Sequence, residues 1–218
     1  MSARFFRALF FAMDKKLLFA LAASAIAASG PAGAAVSAAP FAYPESLLAG
    51  NPAKGEAVAP GITLGAAQVS LESTPIREIA RTLGVPLSRE GAGDFTRDWT
   101  CLEAEASRVW LIASDSPAVT EVQMAAKGAV SSKPGRCYKL KDEFSSVSIG
   151  GVAPGATKDE VLAKFGKPAY AGEGGWLFWA HFKTIEEYSN SRIQMNWTGV
   201  QVKDGKVLKV FSSQVTNP

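Results

Sequence analysis

The chain has 218 residues, of which 47% are hydrophobic and 20% charged, with 23 basic against 20 acidic side chains. The positive excess lies in the first 34 residues, and removing them leaves 19 residues of each sign. A near-neutral chain does not support general electrostatic binding to nucleic acid or to anionic lipid.

Residues 1–34 have the pattern of a signal peptide, since four basic residues precede a short apolar run at 17–28 and small residues follow at 32–34 and 36–38. The run is shorter than the roughly 20 residues that cross a bilayer. No cysteine lies near the cleavage region to carry a lipid anchor. We expect cleavage after residue 34, or as late as residue 39, and a soluble, exported protein in the periplasm or outside the cell, without a stable membrane anchor. Either Met1 or Met13 can be the start.

Residues 35–60 carry Pro40, Pro44, Pro52 and Pro60 with no sustained period, which predicts an extended linker with room for a short helical turn at 45–49. We expect the folded part to begin near Ile62.

The stretches 62–86 and 147–168 repeat one pattern, a short apolar segment with glycine followed by a helix. In the first, Thr74 and Pro75 are suited to the N-cap and first helical position, and Gly84 to the end. In the second, Thr157 and Glu160 form a capping box before the helix closes at Gly166. The repeat predicts a duplicated supersecondary unit.

Strand-like sequence follows each helix, at 99–103, 109–114, 119–126 and 136–140 in the first copy and at 176–182, 193–202 and 206–215 in the second. The pair Asp204-Gly205 predicts a type I′ hairpin between the last two strands. We therefore expect an α+β fold in which each unit, 61–141 and 142–218, is a small antiparallel sheet covered by one or two short helices on one side. The other sheet faces would stay open and lie side by side.

Two cysteines, Cys101 and Cys137, remain in the exported chain. Their even number in an oxidising compartment predicts a disulfide, with the segment at 136–140 placed against the strand that holds Cys101. Two free buried thiols, or a redox pair, are the alternatives.

The second copy resembles the BamE, or small protein A, superfamily. The resemblance rests on Val147-Ser148-Ile149-Gly150, on 155–161 and 165–168, on Trp176-Leu177-Phe178-Trp179, and on Asp204-Gly205-Lys206-Val207. The relatives with two such units in tandem are the β-lactamase inhibitory proteins. The resemblance implies tandem helix-helix-sheet units, an envelope or secreted location, and a role in binding proteins rather than in catalysis.

The motifs of common catalytic and metal sites are absent from the sequence. His181 is the only histidine, and there is no Gly-x-Ser-x-Gly or Ser-x-x-Lys motif. One histidine and two paired cysteines do not supply a zinc ligand set. We expect no cofactor, no metal site and no enzymatic activity; an unrecognised enzyme using Glu186 and Glu187 is the weaker alternative.

Aromatic residues are the remaining signal. Alternation along the strand at 176–182 places Trp176, Phe178 and Phe182 on one face and Leu177, Trp179 and His181 on the other. If one face covers the helices, the other can display candidate protein-binding residues, which are Trp179, His181, Met195 and Trp197. The alternative is that the tryptophans all belong to the core.

The leading hypothesis is an exported, non-enzymatic protein that binds a protein partner through the open sheet faces of its two units. The alternatives are an inhibitor of a periplasmic or secreted enzyme and an accessory protein of envelope assembly.

Overall fold

The computed structural model describes residues 37–44, 53–54, 60–92, 95–130, 135–187 and 190–217. The predicted signal peptide and the predicted turn at 45–49 lie outside the described residues. None of the helices in these ranges combines the length and the apolar character needed to cross a bilayer.

A sheet of ten strands forms the main layer of the described structure. Its path runs through β1 (Ala53–Lys54), β11 (Trp176–Glu187), β12 (Asn190–Lys203), β13 (Lys206–Asn217), β7 (Glu121–Ala126), β6 (Ser107–Ser114), β5 (Phe95–Glu103) and β4 (Ser88–Ala92). Two short strands join it off the path, β10 (Tyr170–Ala171) on β11 and β8 (Tyr138–Lys139) on β5. A three-stranded sheet contains β3 (Ala67–Val69), β2 (Ile62–Leu64) and β9 (Val147–Ile149). The pairings are antiparallel except for β1 with β11 and β8 with β5.

The two halves of the chain repeat the same order of elements. Helix α1 (Ile76–Leu83) precedes β4 to β7, and helix α2 (Lys158–Phe165) precedes β10 to β13. The last strands of these two series, β7 and β13, pair antiparallel in the main sheet. In the small sheet, β2 and β9 pair antiparallel with Thr63 opposite Ser148. The sequence repeat is therefore a structural repeat, and the halves share both sheets.

The predicted α+β fold of two tandem helix-helix-sheet units is wrong, because the described structure is mostly antiparallel sheet and holds one α-helix in each half. Before α1, where a further helix was possible, the chain forms the strands β2 and β3. Ile62 and Leu64 are buried two residues apart in β2, and Val69 in β3 pairs with Ile62. This two-residue periodicity favours a strand, since a helix would turn those side chains to different sides.

The two helices begin in different ways. At α2 the predicted capping box is confirmed, since the Glu160 N–H donates to Thr157 Oγ1 at 3.2 Å and the Thr157 N–H donates to Glu160 Oε2 at 2.6 Å. At α1 the predicted Thr74 cap is wrong, because Pro75 is the N-cap and no side chain caps the helix. Thr74 Oγ1 instead accepts a hydrogen bond from the Ser70 N–H at 2.9 Å, which closes the turn before the helix.

The predicted glycine turns are present. Gly84 ends α1 with a φ of 68°. Asp204 and Gly205 both have positive φ, at 50° and 75°, between the paired residues Lys203 and Lys206. A type I′ turn requires positive φ at both central residues, so the predicted hairpin is confirmed.

Apolar side chains cover both faces of the main sheet. The face that packs against α1, α2 and the small sheet is called the helix face, and its buried strand residues include Leu111, Val122, Leu177, Trp179 and Val210. The opposite face is called the outer face, and its buried strand residues include Trp99, Trp110, Trp176, Phe178 and Phe211.

Residues 37–44, from the predicted linker, cover part of the outer face. Ala38 and Phe41 are buried there, and the Ala38 carbonyl accepts hydrogen bonds from the indole N–H groups of Trp99 at 3.2 Å and of Trp110 at 2.9 Å. A buried indole N–H needs an acceptor, and this segment supplies one for both rings. The folded part therefore extends back to Ser37 rather than beginning near Ile62.

The predicted disulfide between Cys101 and Cys137 is confirmed. Strand β8 lies parallel to β5 with Tyr138 opposite Leu102, which brings Cys137 beside Cys101 on the outer face.

Candidate functional site

The main sheet separates the four predicted binding residues into two pairs. On the helix face, Trp179 lies opposite Thr198 and His181 lies opposite Asn196. Trp197 instead lies opposite Ala180, on the outer face with Met195. Directly opposed residues on antiparallel strands share a face, so the expectation of one common surface is wrong. The structure forms two candidate regions instead.

The first region is a cavity of about 290 Å³ beside α2. We call it the α2 cavity; its described lining consists of Pro60 and Gly150 together with Lys164, Phe165, Trp179, His181, Asn196 and Thr198. Of the last six, two come from α2, two from β11 and two from β12. Sequence reasoning found the β11 pair and missed the others, because the register of β11 with β12 and the packing of α2 on the sheet depend on contacts between distant segments.

Trp179 is a wall of this cavity rather than a displayed side chain. Only 4% of it is exposed, and its indole N–H donates to the Gly166 carbonyl at 3.3 Å. The ring meets Phe165 edge to face, with the centroids 5.4 Å apart. These contacts fix the C-terminal end of α2 against the sheet.

The polar lining of the α2 cavity is neutral or basic. Asn196 and Thr198 are buried on β12, at 4% and 5% exposure, while His181 is half-buried. Lys164, in the last turn of α2, is exposed. The arrangement places hydrogen-bonding side chains and one cation around an aromatic wall.

The second region is an exposed apolar group on the outer face at the far end of β11, β12 and β13. Phe182, Met195 and Val215 lie side by side on the three strands. Trp197 and Ile193 flank Met195 on β12. Val215 and Ile193 are 37% and 46% exposed, while the other three are half-buried. We call these five residues the apolar patch.

The segment at 37–44 covers a different part of the outer face and closes over a buried carboxylate. Glu121 on β7 accepts hydrogen bonds from Gln123 Nε2 at 2.6 Å and from the Tyr43 hydroxyl at 3.3 Å. Burial raises the pKa of Glu121, and these two donors and the charge of Arg97 oppose that rise. Tyr43 stacks on Phe211 with the ring centroids 4.0 Å apart. This carboxylate serves to attach the segment to the sheet.

The carboxylates considered for an enzyme do not form a buried cluster. Glu186 is exposed and accepts a hydrogen bond from Ser191 Oγ at 3.4 Å, while the side chain of Glu187 is not among those described. A better-connected carboxylate, missed from the sequence, is Glu72. It accepts hydrogen bonds from Thr216 N and Oγ1, both at 2.6 Å, and from Gln214 Nε2 at 2.7 Å. These bonds attach the loop before α1 to the ends of the strands.

Within the described ranges, no group of three or more His, Cys, Asp or Glu residues is placed to hold a metal ion.

Comparison with known proteins gives a distant structural match. No known family model matches the chain, and no curated protein matches it. A solved structure from Streptococcus mutans, of a protein named as a candidate β-lactamase inhibitor protein, aligns with 12% identity over 72% of this chain and 90% of that one. Its TM-score is 0.23, which is too low to assign a shared fold or function.

Proposed function

We propose that this chain is an exported, non-enzymatic binding protein that engages a protein partner through the apolar patch. The observation that carries the proposal is the contiguity of Phe182, Ile193, Met195, Trp197 and Val215 on one face. Single exposed apolar residues are ordinary on protein surfaces, whereas an adjacent group of large ones marks an interaction surface.

The composition and surroundings of the patch support the same role. Tryptophan and methionine are enriched at protein interfaces, and tryptophan is frequent among the residues that dominate binding energy. Thr184, Ser213 and Asn217 occupy neighbouring positions on the same face and give the patch polar neighbours. An apolar centre with a polar rim is the usual anatomy of a protein interface.

The open surface is smaller than the two whole sheet faces expected from the sequence. Residues 37–44 cover the outer face over Trp99, Trp110 and Phe211, and within the described part of the chain the large aliphatic side chains left exposed on this face lie at the far end of the second half. We therefore assign the partner to that end.

Export is part of the proposal and is supported by two features. The first 34 residues have the pattern of a signal peptide. The disulfide between Cys101 and Cys137 is of the kind that persists in oxidising compartments.

The proposal is tested by capture of partners from envelope extract with the purified protein and two variants. Ile193→Lys places a charge in the patch at an exposed position, so the fold is retained. Tyr170→Lys is the matched control, because Tyr170 is 42% exposed on β10, outside the patch. We expect a stoichiometric partner that the wild type and Tyr170→Lys retain and Ile193→Lys loses.

Capture that is equal for both variants, or no capture by the wild type, would contradict the proposal. The identity of a captured protein distinguishes an enzyme that this chain inhibits from a component of envelope assembly. In the first case, added protein lowers that enzyme's activity in proportion to the amount bound.

A further inference from the structure

The α2 cavity lies on the opposite face of the sheet from the apolar patch and is not used by the proposed function. It combines an aromatic wall with four polar or charged side chains, Lys164, His181, Asn196 and Thr198. Small-molecule sites commonly have this composition, with apolar walls and a few converging polar groups. The cavity is therefore a candidate ligand site.

The charge of the residues that line the cavity indicates the charge of the ligand it can bind. Lys164 is cationic and, among the described residues, has no ion pair with a carboxylate. The side chains of Asn196 and His181 are able to donate hydrogen bonds, while the Thr198 hydroxyl donates to Ser212 Oγ at 3.5 Å. None of the described residues that line the cavity is an aspartate or glutamate, whereas the cavity beside β8 contains Glu103, Glu105 and Asp142. An anion is thus favoured and a cation is not.

The end of α2 does not cancel this preference. A helix C-terminus carries partial negative charge, which would disfavour an anion. The Gly166 carbonyl at this end already accepts the Trp179 indole N–H, and Lys164 in the last turn places a positive charge there.

The walls of the cavity are fixed by close packing. Gly150, with φ of 60°, also lines the cavity, and a Cβ on it would lie 2.5 Å from Phe165 Cε1. The absence of that atom lets the Phe165 ring sit between Gly150 and Trp179. The ligand therefore meets two aromatic rings whose positions are set by the fold.

We propose that the α2 cavity binds a small organic monocarboxylate whose body is one aromatic ring or a short aliphatic chain. The carboxylate group interacts with Lys164 and the neighbouring donors, and the apolar body contacts Phe165 and Trp179. The volume of about 290 Å³ lies at the lower end of the range for ligand pockets, which suits a molecule smaller than a typical drug.

The test is a titration of the purified protein with phenylacetate and with its uncharged analogue phenylacetamide, followed by NMR at the Trp179 indole N–H. This proton is assigned with Trp179→Phe. We expect phenylacetate to shift the signal with a dissociation constant below about 10 mM, as a ligand of this size can reach. The amide should bind at least about tenfold more weakly, because it lacks the charge that pairs with Lys164.

Two lysine variants test whether the charge of Lys164 binds the carboxylate of the ligand. Lys164→Met should weaken phenylacetate binding by about tenfold or more. Lys158→Met is the matched control, since Lys158 is exposed at the other end of α2 and does not line the cavity. The absence of a saturable shift with phenylacetate, equal binding of acid and amide, or equal losses in the two variants would each overturn the proposal.

Discussion

The two halves of the fold share one order of elements but differ in what covers their outer face. In the first half, residues 37–44 and the Cys101–Cys137 disulfide lie over β5 to β7. In the second half, the far ends of β11 to β13 keep the apolar patch exposed. Apolar residues on corresponding faces therefore have different roles. Covered ones stabilise the fold, and uncovered ones remain available to a partner.

Substitution of two tryptophans on corresponding strands should reveal the largest difference between the covered and the uncovered half. Trp110 on β6 is 1% exposed, donates to the Ala38 carbonyl and meets Phe41 edge to face. Trp110→Ala should lower the free energy of unfolding by about 3 to 5 kcal/mol, measured by urea denaturation. Trp197 on β12 is half-buried, so Trp197→Ala should lower the free energy of unfolding by about half that amount or less. Equal losses of stability in the two variants would mean that the outer face is covered to the same extent in both halves.

Removal of the disulfide, which lies in the first half, should have the next largest effect on stability. It joins residues 36 positions apart, and residues 142–218 contain no cysteine. Replacing both cysteines by serine should lower stability by about 3 to 4 kcal/mol. Native-state hydrogen exchange should accelerate more in β5 to β8 than in β11 to β13. Uniform acceleration over both halves would show that the cross-link does not act locally.

Much of this architecture is contained in local sequence patterns. The repeat, the cap at Thr157, the turn at Asp204 and the disulfide all follow from residues whose conformational or chemical preference is strong. Such features depend on a few neighbouring residues, or on the parity of the cysteines, and need no knowledge of packing.

The parts that could not be predicted depend on contacts between distant segments. Both faces of β11 are apolar, with Trp176 and Phe178 on one and Leu177 and Trp179 on the other, so alternation does not say which face meets the helices. The register of β11 with β12 then decides that Asn196, rather than Trp197, accompanies His181. The cover supplied by residues 37–44 depends on indole N–H groups that lie far away in the chain.

The smallest expected effect concerns two glutamates whose environments differ between the halves. Burial raises the pKa of Glu121 in the first half. The Thr157 backbone N–H, and then its side chain, hold the pKa of Glu160 below its usual value in the second. Unfolded glutamate titrates near 4.3. The contribution of Glu121 to stability is therefore fully present below about pH 4.3 and is lost as pH rises through its folded pKa. That of Glu160 is present above about pH 4.3 and is lost as pH falls.

Glutamine substitutions should consequently have pH dependences of opposite sign. Urea unfolding between pH 3 and pH 8 should show Glu121→Gln becoming more stable relative to wild type as pH rises, because the desolvated charge is gone. Glu160→Gln should become less stable relative to wild type over the same rise, because the wild type regains its capping carboxylate. Glu160 is exposed, so solvent screening keeps its effect small. If both variants changed in the same direction, the first-half carboxylate would be as hydrated as the second, and residues 37–44 would not be covering it.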